Sequence, residues 1–456
     1  MSSKRHLLAA MTAVAAGAVL LTAPPASAAA PAACARQDRI TVPGAERQVS
    51  ACLADLTTTG TVASGHTIPA DWAGLHPANA DSPSGVPGIQ LDGYFPDTST
   101  FNTRHGWNHD AQFVIRLPEK WNGGLIVSGA PGVRGQYAND FTISDWVLAK
   151  GYAFASTDKG NSGAQFYQDG KTPGDAIAEW NDRFTQLAVA AKSVVAQRYG
   201  RQPGRTYAAG ISNGGYLVRW QLENRAWLYD GGLDAEGTLW REKGPNLLTY
   251  LPGTLRDYPL AAGGDRAARD RMVAAGFPAD SEFLWDYHYK TYWDLTQRIY
   301  REEVDPAFDG ATEAGTPFCA PGTPACDADY DYAARPRSVG KAVSKIALTG
   351  RISKPLITLH GTLDVLLPIS LSSDPYAAMI RSRGRAGEHR YYRIEGGTHV
   401  DGLYDAYPDR LRPLLPCFRE AFDSLDRWAV KGVAPRPSAT LPRPASGDLA
   451  NACPEL

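Results

Sequence analysis

From Asp110 onward the chain alternates short apolar runs with stretches of helical periodicity. That alternation admits few folds other than a mostly parallel β-sheet with crossover helices on its faces. Residues 111–117, 125–128, 152–156 and 206–211 read as strands, and residues 141–150 and 184–199 as helices. In the second helix Leu187, Val189, Ala190, Val194 and Val195 fall at helical spacing, and Gly200 and Pro203 stop it. The pattern breaks near residue 226 and resumes at Lys354, with strands at 355–359 and 391–394 and helices at 374–384 and 411–431. The intervening residues 226–344 show no strand alternation, have helical spacing at 283–303, and lie where five of the 11 tryptophans cluster, between Trp220 and Trp293. The expected organisation is an α/β core made of residues 29–225 and 345–440, interrupted by a mainly helical insertion at 226–344 and followed by a tail at 441–456. Such an insertion acts as a lid that shapes a pocket over the sheet; a separately folded packing domain is the alternative.

At 456 residues and 43% hydrophobic composition, the chain is long enough to bury that core. Lys+Arg 46 against Asp+Glu 48 leaves a formal charge of -2 with no basic run, which argues against a nucleic-acid partner. Lys4 and Arg5 precede an apolar stretch at residues 7–23, then Pro24-Pro25 and Ala26-Ser27-Ala28. This is the pattern of a secretory signal with an A-x-A cleavage site, so residues 1–28 are expected to be removed and the protein to be secreted. A membrane anchor is the weaker reading, because the run is short and ends in prolines and small residues. No membrane association is expected of the mature chain. The six cysteines, Cys34, Cys52, Cys319, Cys326, Cys417 and Cys453, are an even set suited to disulfides in an exported chain. Sequence neighbours suggest Cys34 with Cys52, Cys319 with Cys326 and Cys417 with Cys453. Zinc is disfavoured by the absence of close C-x₂-C spacing and of a histidine pair.

The chemistry concentrates in three short runs. Gly210-Ile211-Ser212-Asn213-Gly214 stands at the junction of a strand and a helix. A nucleophile on so tight a turn needs neighbours without side chains, which Gly210 and Gly214 supply. A serine there requires a base and an orienting acid later in the chain. Asp364 follows strand 355–359 in His360-Gly361-Thr362-Leu363-Asp364, and His399 follows strand 391–394 in Glu395-Gly396-Gly397-Thr398-His399. All three residues sit beyond the carboxyl ends of strands, where open parallel sheets collect their functional groups. Ser212 is therefore the candidate nucleophile, His399 the base and Asp364 the acid. Asp401 rivals Asp364 but stands too close to His399 to reach its far nitrogen. His360 rivals His399 but abuts its strand and is expected to brace the loop that carries Asp364. Helix capping is the plain alternative for Ser212. The amides of Asn213 and Gly132 are the candidate oxyanion donors, with Val133 next, since Pro131 has no N–H. In the insertion, Trp285, Tyr289 and Trp293 are the candidate substrate wall.

Residues 151–158, 184–200 and 210–215, together with the closing Trp428-Ala429-Val430-Lys431-Gly432, resemble the tannase and feruloyl esterase family. That resemblance implies an α/β-hydrolase fold with a large lid, hydrolysis of carboxylic esters of phenolic acids, and a catalytic Ser212, Asp364 and His399. The chain departs from the family in one respect. The family's paired cysteines beside the serine and the histidine are replaced by Ile211 and Val400. Gly129-Ala130-Pro131-Gly132, the Ser-Asn-Gly-Gly run and the C-terminal helix also resemble secreted 3-hydroxybutyrate oligomer hydrolases, which implies hydroxyalkanoate oligomers as substrates. No cofactor and no metal is expected. The tannase lid's calcium site has a partial counterpart in Asp327, Asp329 and Asp331, but the run lacks the glycine and closing glutamate of a calcium loop. The expected partner is a small-molecule or oligomeric ester. A secreted serine peptidase and a non-catalytic binding protein on the same scaffold are the competing readings.

Overall fold

In the computed structural model, which describes residue 34, residues 37–308 and residues 327–456, one ten-stranded sheet runs through the molecule. Its strands are β1 (Arg47–Leu53), β2 (Gly88–Tyr94), β3 (Gln112–Pro118), β4 (Gly124–Gly129), β5 (Ala153–Thr157), β6 (Arg205–Ile211), β7 (Gly231–Ala235), β8 (Leu356–Gly361), β9 (His389–Ile394) and β10 (Ala439–Leu441). The order across the sheet is β1-β2-β3-β5-β4-β6-β7-β8-β9-β10. β1 to β3 and the β3–β5 pair are antiparallel; every pairing from β5 through β4 to β10 is parallel. Both faces of the parallel part are covered, so its central strands are buried on both sides. Along β4, Leu125 and Val127 join one core with helices Asp175–Tyr199 and Asn213–Asn224, while Ile126 joins the other with helix Leu415–Lys431.

Four strands were not legible in the apolar pattern. β2 carries Gln90 and Asp92, buried and bonded to Arg116 (2.9 Å) and to the Tyr137 hydroxyl (2.5 Å). Arg116 in turn holds Asp140 through two bonds of 2.6 and 2.7 Å. On the other face Ile89 and Leu91 pack in the core, so the alternation rests on two apolar residues between Gly88 and Gly93, too short a run to stand out. β1 alternates exposed and half-buried residues at the sheet edge. β7 reads Gly-Gly-Leu-Asp-Ala, because a Cβ on Gly232 would lie 2.7 Å from Val218 and Asp234 is paired with buried Arg219 at 2.6 Å. β7 corrects the expected boundary of the insertion: residues 231–235 are a central strand, and the strand-free segment begins after Ala235. β10 lies in the Pro-rich end of the chain, beside β9.

The insertion is helical, with Leu247–Ala262, Arg266–Ala274, Trp285–His288, Asp294–Val304 and Arg337–Ser344. Its apolar side chains merge into the core on one face of the sheet: Leu251, Leu255, Trp293 and Tyr300 pack in one cluster with Phe184 and Tyr216. Disulfides join Cys34 to Cys52 and Cys417 to Cys453, the second tying the tail to the last helix. The expected Cys319–Cys326 pair lies outside the described residues, as does the expected signal segment. Asp327 is buried against Arg301 (2.8 Å) and Asp331 caps a turn through the Ala333 amide (3.0 Å), so these two carboxylates serve local packing.

Candidate active site

β6 ends at Ile211 and helix Asn213–Asn224 starts two residues later, which forces Ser212 to make the turn alone at φ 57° and ψ -121°. A non-glycine residue in this region is strained, and here the strain points the hydroxyl away from the sheet. The glycines around it are required by contact. A Cβ on Gly210 would stand 2.3 Å from the Gly214 carbonyl oxygen, and one on Gly214 would stand 2.5 Å from that of Gly129. The Ser212 amide donates to Ala235 O at 2.9 Å, which fastens the turn to β7.

The structure brings the three distant residues into one hydrogen-bonded chain. His399 Nε2 lies 3.0 Å from Ser212 Oγ, and His399 Nδ1 lies 2.8 Å from Asp364 Oδ2. Asp364 is fixed from the other side, where its Oδ1 accepts the amides of Leu366 and Leu367, both at 2.8 Å. Burial alone would raise this carboxyl, yet His399 and His360 beside it hold it well below the usual carboxylate range. The loops carrying acid and base are themselves pressed together: a Cβ on Gly361 would stand 2.3 Å from the Gly397 backbone, and Leu363 N donates to Gly397 O at 2.7 Å. This contact explains why both runs are glycine-rich.

The rival residues have other work. His360 braces the acid loop, with Nδ1 2.6 Å from Ser373 Oγ and Nε2 2.9 Å from Leu367 O and 3.2 Å from Asp364. Asp401 accepts the amides of Leu414 (2.8 Å) and Leu415 (2.7 Å) and so caps the last helix; burial pushes its carboxyl up to about 7. Neither replaces its counterpart in the chain from Asp364 to Ser212.

Asn213 joins the serine turn to the loop after β4. Its side-chain amide donates to Gly132 O (3.0 Å) and to the lid's Tyr300 hydroxyl (2.5 Å), while its carbonyl oxygen accepts from Thr238 (3.0 Å). Gly132 adopts φ +51°, a conformation natural to glycine. Among the described residues the backbone amides of Asn213, Gly132 and Val133 have no backbone acceptor. All three residues line the same cavity as Ser212 and His399.

That cavity has a volume of about 200 Å³, and its wall is mainly apolar, including Leu75, Ile211, Leu247, Ile299, Leu366 and Val400. Ile211 and Val400, the residues in place of the family's cysteines, thus stand in its wall. A larger cleft of about 960 Å³ between Glu242, Arg256 and Lys341 contains none of the three chemical residues, so volume alone does not mark the site.

The expected substrate wall needs correction. Trp285, Tyr289 and Trp293 do not line the cavity. Trp285 donates to Ser281 (2.9 Å), Tyr289 packs tilted against Tyr258 with ring centroids 4.7 Å apart, and Trp293 is fully buried and donates to Val365 O (2.7 Å). Spaced four residues apart, they form one stripe directed at the lid's own core. The cavity is faced instead by Tyr292, Leu295, Thr296, Ile299 and Tyr300. Helical spacing marks both stripes and does not say which one meets the pocket.

Sequence reasoning missed Glu236. It follows β7 at φ +54°, is buried, and places Oε2 3.7 Å from His399 Nδ1, with Oε1 accepting Gly361 N at 3.2 Å. Burial, then the charges of Asp364 and Asp401, push it well above the ordinary glutamate value, which favours its protonated form beside Asp364. Glu236, Asp364 and His399 have ligand atoms within 4.8 Å of one another. Asp364 and His399 already spend theirs on each other. The missing signal was β7 itself, without which Glu236 is not at a strand's end.

Residues 98–219 match the family model for tannase and feruloyl esterase, and residues 310–454 match that for the 3HB-oligomer hydrolase. The first span contains Ser212; the second contains Asp364 and His399. Feruloyl esterase B from Aspergillus oryzae superposes with a TM-score of 0.50 at 15% identity, covering 88% of this chain and 90% of that one. The fold is that of an α/β-hydrolase. A D-(-)-3-hydroxybutyrate oligomer hydrolase of Cupriavidus necator is 32% identical over 135 residues, which is 28% of this chain and 18% of the relative. A mono(2-hydroxyethyl) terephthalate hydrolase of Piscinibacter sakaiensis is 24% identical over 159 residues, or 32% of this chain and 26% of the relative. The chain therefore spans well under half the length of the curated relatives it matches. These relatives are named as hydrolases and an esterase, and the present chain is similar to the tannase and feruloyl esterase family over one span and to the 3HB-oligomer hydrolase family over another.

Proposed function

We propose that the protein is a serine-dependent carboxylic ester hydrolase. The observation that carries this reading is the continuous chain Asp364–His399–Ser212, with bonds of 2.8 and 3.0 Å. Asp364 fixes the imidazole with Nδ1–H toward the carboxylate, which leaves the Nε2 lone pair to take the serine proton. Ser212 Oγ attacks the ester carbonyl, His399 gives the proton to the departing alcohol, and water then releases the acid by the reverse sequence. The amides of Asn213 and Gly132 receive the oxyanion, held at a fixed separation because the Asn213 side chain grips the Gly132 carbonyl.

The apolar wall and modest volume favour a compact acyl or alcohol group, as in phenolic (feruloyl or galloyl) esters or short hydroxyalkanoate oligomers. Export belongs to the same proposal: residues 1–28 have a signal's pattern, and no helix among the described residues is long and apolar enough to cross a membrane. Ser212→Ala tests the reading on methyl ferulate, methyl gallate and the 3-hydroxybutyrate dimer. The variant is expected to fold as the parent and to lose turnover by about 10⁶ in kcat on whichever ester the parent cleaves. Retained activity, or a parent inert to all three and to nitrophenyl acetate, would overturn it.

A further inference from the structure

One charge in the cavity has no role in the chemistry above. Arg134, two residues beyond Gly132, lines the cavity that holds Ser212. Its guanidinium donates to two neutral carbonyls, Asp71 O at 3.2 Å and Ala73 O at 2.9 Å. Among the described residues no carboxylate is paired with it. The carboxylate of Asp71 is committed to Arg104 and to the Ile68 amide (3.1 Å). The ionisable group that faces Arg134 is Tyr292, a phenol pushed up to about 12 by burial and so uncharged. A partly buried cation costs free energy unless it meets an anion, and an apolar wall such as Leu247, Leu295 and Ile299 raises that cost.

We propose that Arg134 is the subsite for an anionic group of the substrate, so that the preferred esters carry a free carboxylate away from the bond that is cut. The planar guanidinium matches a carboxylate with two parallel N–H···O bonds, and the two carbonyls leave donors of its five unused. A pocket built around a charge discriminates against the neutral isostere more sharply than a pocket built on shape. This inference rests on the reading of Ser212 as the ester-cleaving nucleophile.

The test compares esters of equal shape and different charge. In the acyl arm the 4-nitrophenyl ester of terephthalic acid, its second carboxyl free, is set against that of terephthalamic acid. In the alcohol arm the acetate ester of 4-hydroxybenzoate is set against that of 4-hydroxybenzamide. In at least one arm the acid is expected to exceed the amide in kcat/KM by about tenfold or more, mainly through KM. The advantage is expected to shrink with added salt and to fall at least tenfold in Arg134→Gln, with Arg134→Lys keeping part of it. A ratio near one in both arms overturns the subsite. So does a parental ratio retained by Arg134→Gln, whose rates would then fall on both esters only through the ties to Asp71 and Ala73. Should Arg134→Gln not fold, the wild-type ratio and its salt dependence decide alone. Reaction of the amide esters and of a fluorophosphonate at Ser212 separates the two claims: if these occur and the ratio is one, the subsite fails; if they do not, the hydrolase reading fails with it.

Discussion

At the rim of the sheet, Ser212, Asp364 and His399 are positioned by backbone: a turn fastened to β7 and two glycine loops pressed together at Gly361 and Gly397. In the lid the cavity wall is positioned by side-chain packing, with Trp293 buried below and Leu295, two residues along, facing the pocket. The first arrangement leaves no freedom for the chemical groups. The second leaves the wall open to change without disturbing them. Chemistry is fixed by contacts that admit only glycine, and substrate preference by contacts that admit many apolar side chains.

The sharpest break of this contrast is at the rim. Asp364→Asn keeps the shape but lets the imidazole take the wrong tautomer, and kcat is expected to fall about 10⁴-fold with the fold retained. A loss below tenfold would mean that another acid, with Glu236 the nearest, orients His399.

That contrast also explains what the sequence disclosed. The rim was legible because close approach leaves glycines at set distances from the reactive residue, as in Gly210-Ile211-Ser212-Asn213-Gly214 and in the runs ending at Asp364 and His399. Asp401, two residues from His399, and His360, abutting its strand in the run that carries Asp364, were the weaker rivals on sequence alone. The structure gives each another partner, a helix end and Ser373. The parallel core was legible in its apolar strands. β2 and β7 were not: β2 offers only Ile89 and Leu91 to the core beside Gln90 and Asp92, and β7 carries glycines and Asp234, the polar groups being satisfied by Arg116, Tyr137 and Arg219. The wall was misplaced onto Trp285, Tyr289 and Trp293 since aromatic content does not distinguish a helix's packed stripe from its open one.

In the lid, Trp293→Ala is expected to cost about 3–5 kcal/mol of stability, measured by urea unfolding, because it opens a cavity in the lid's core and frees Val365 O. A cost below about 1 kcal/mol would contradict its place as packing. Glu236→Gln probes the seam between the two regions. The folded state raises this carboxyl, so its stabilising contribution is complete below the ordinary glutamate range and is lost as pH rises toward the folded value. Relative to the parent, Glu236→Gln should therefore match at pH 4 and gain by up to about 1.4 kcal/mol per pH unit above pH 5. A constant offset across pH would show that Glu236 is ionised in the folded protein. The smallest effect is expected at Leu295, which is 38% exposed. Leu295→Ala should change stability by no more than about 0.5 kcal/mol while shifting KM several-fold between bulky and small acyl esters. Equal shifts for both would remove Leu295 from the wall.

The central claim is that one hydroxyl is made nucleophilic by the imidazole 3.0 Å away. Labelling the intact protein with a fluorophosphonate and locating the adduct by peptide mass spectrometry measures this without a known substrate. The account predicts one adduct per chain, on Ser212, formed far more slowly in His399→Ala. An adduct on another residue, or none on the folded protein, would contradict it.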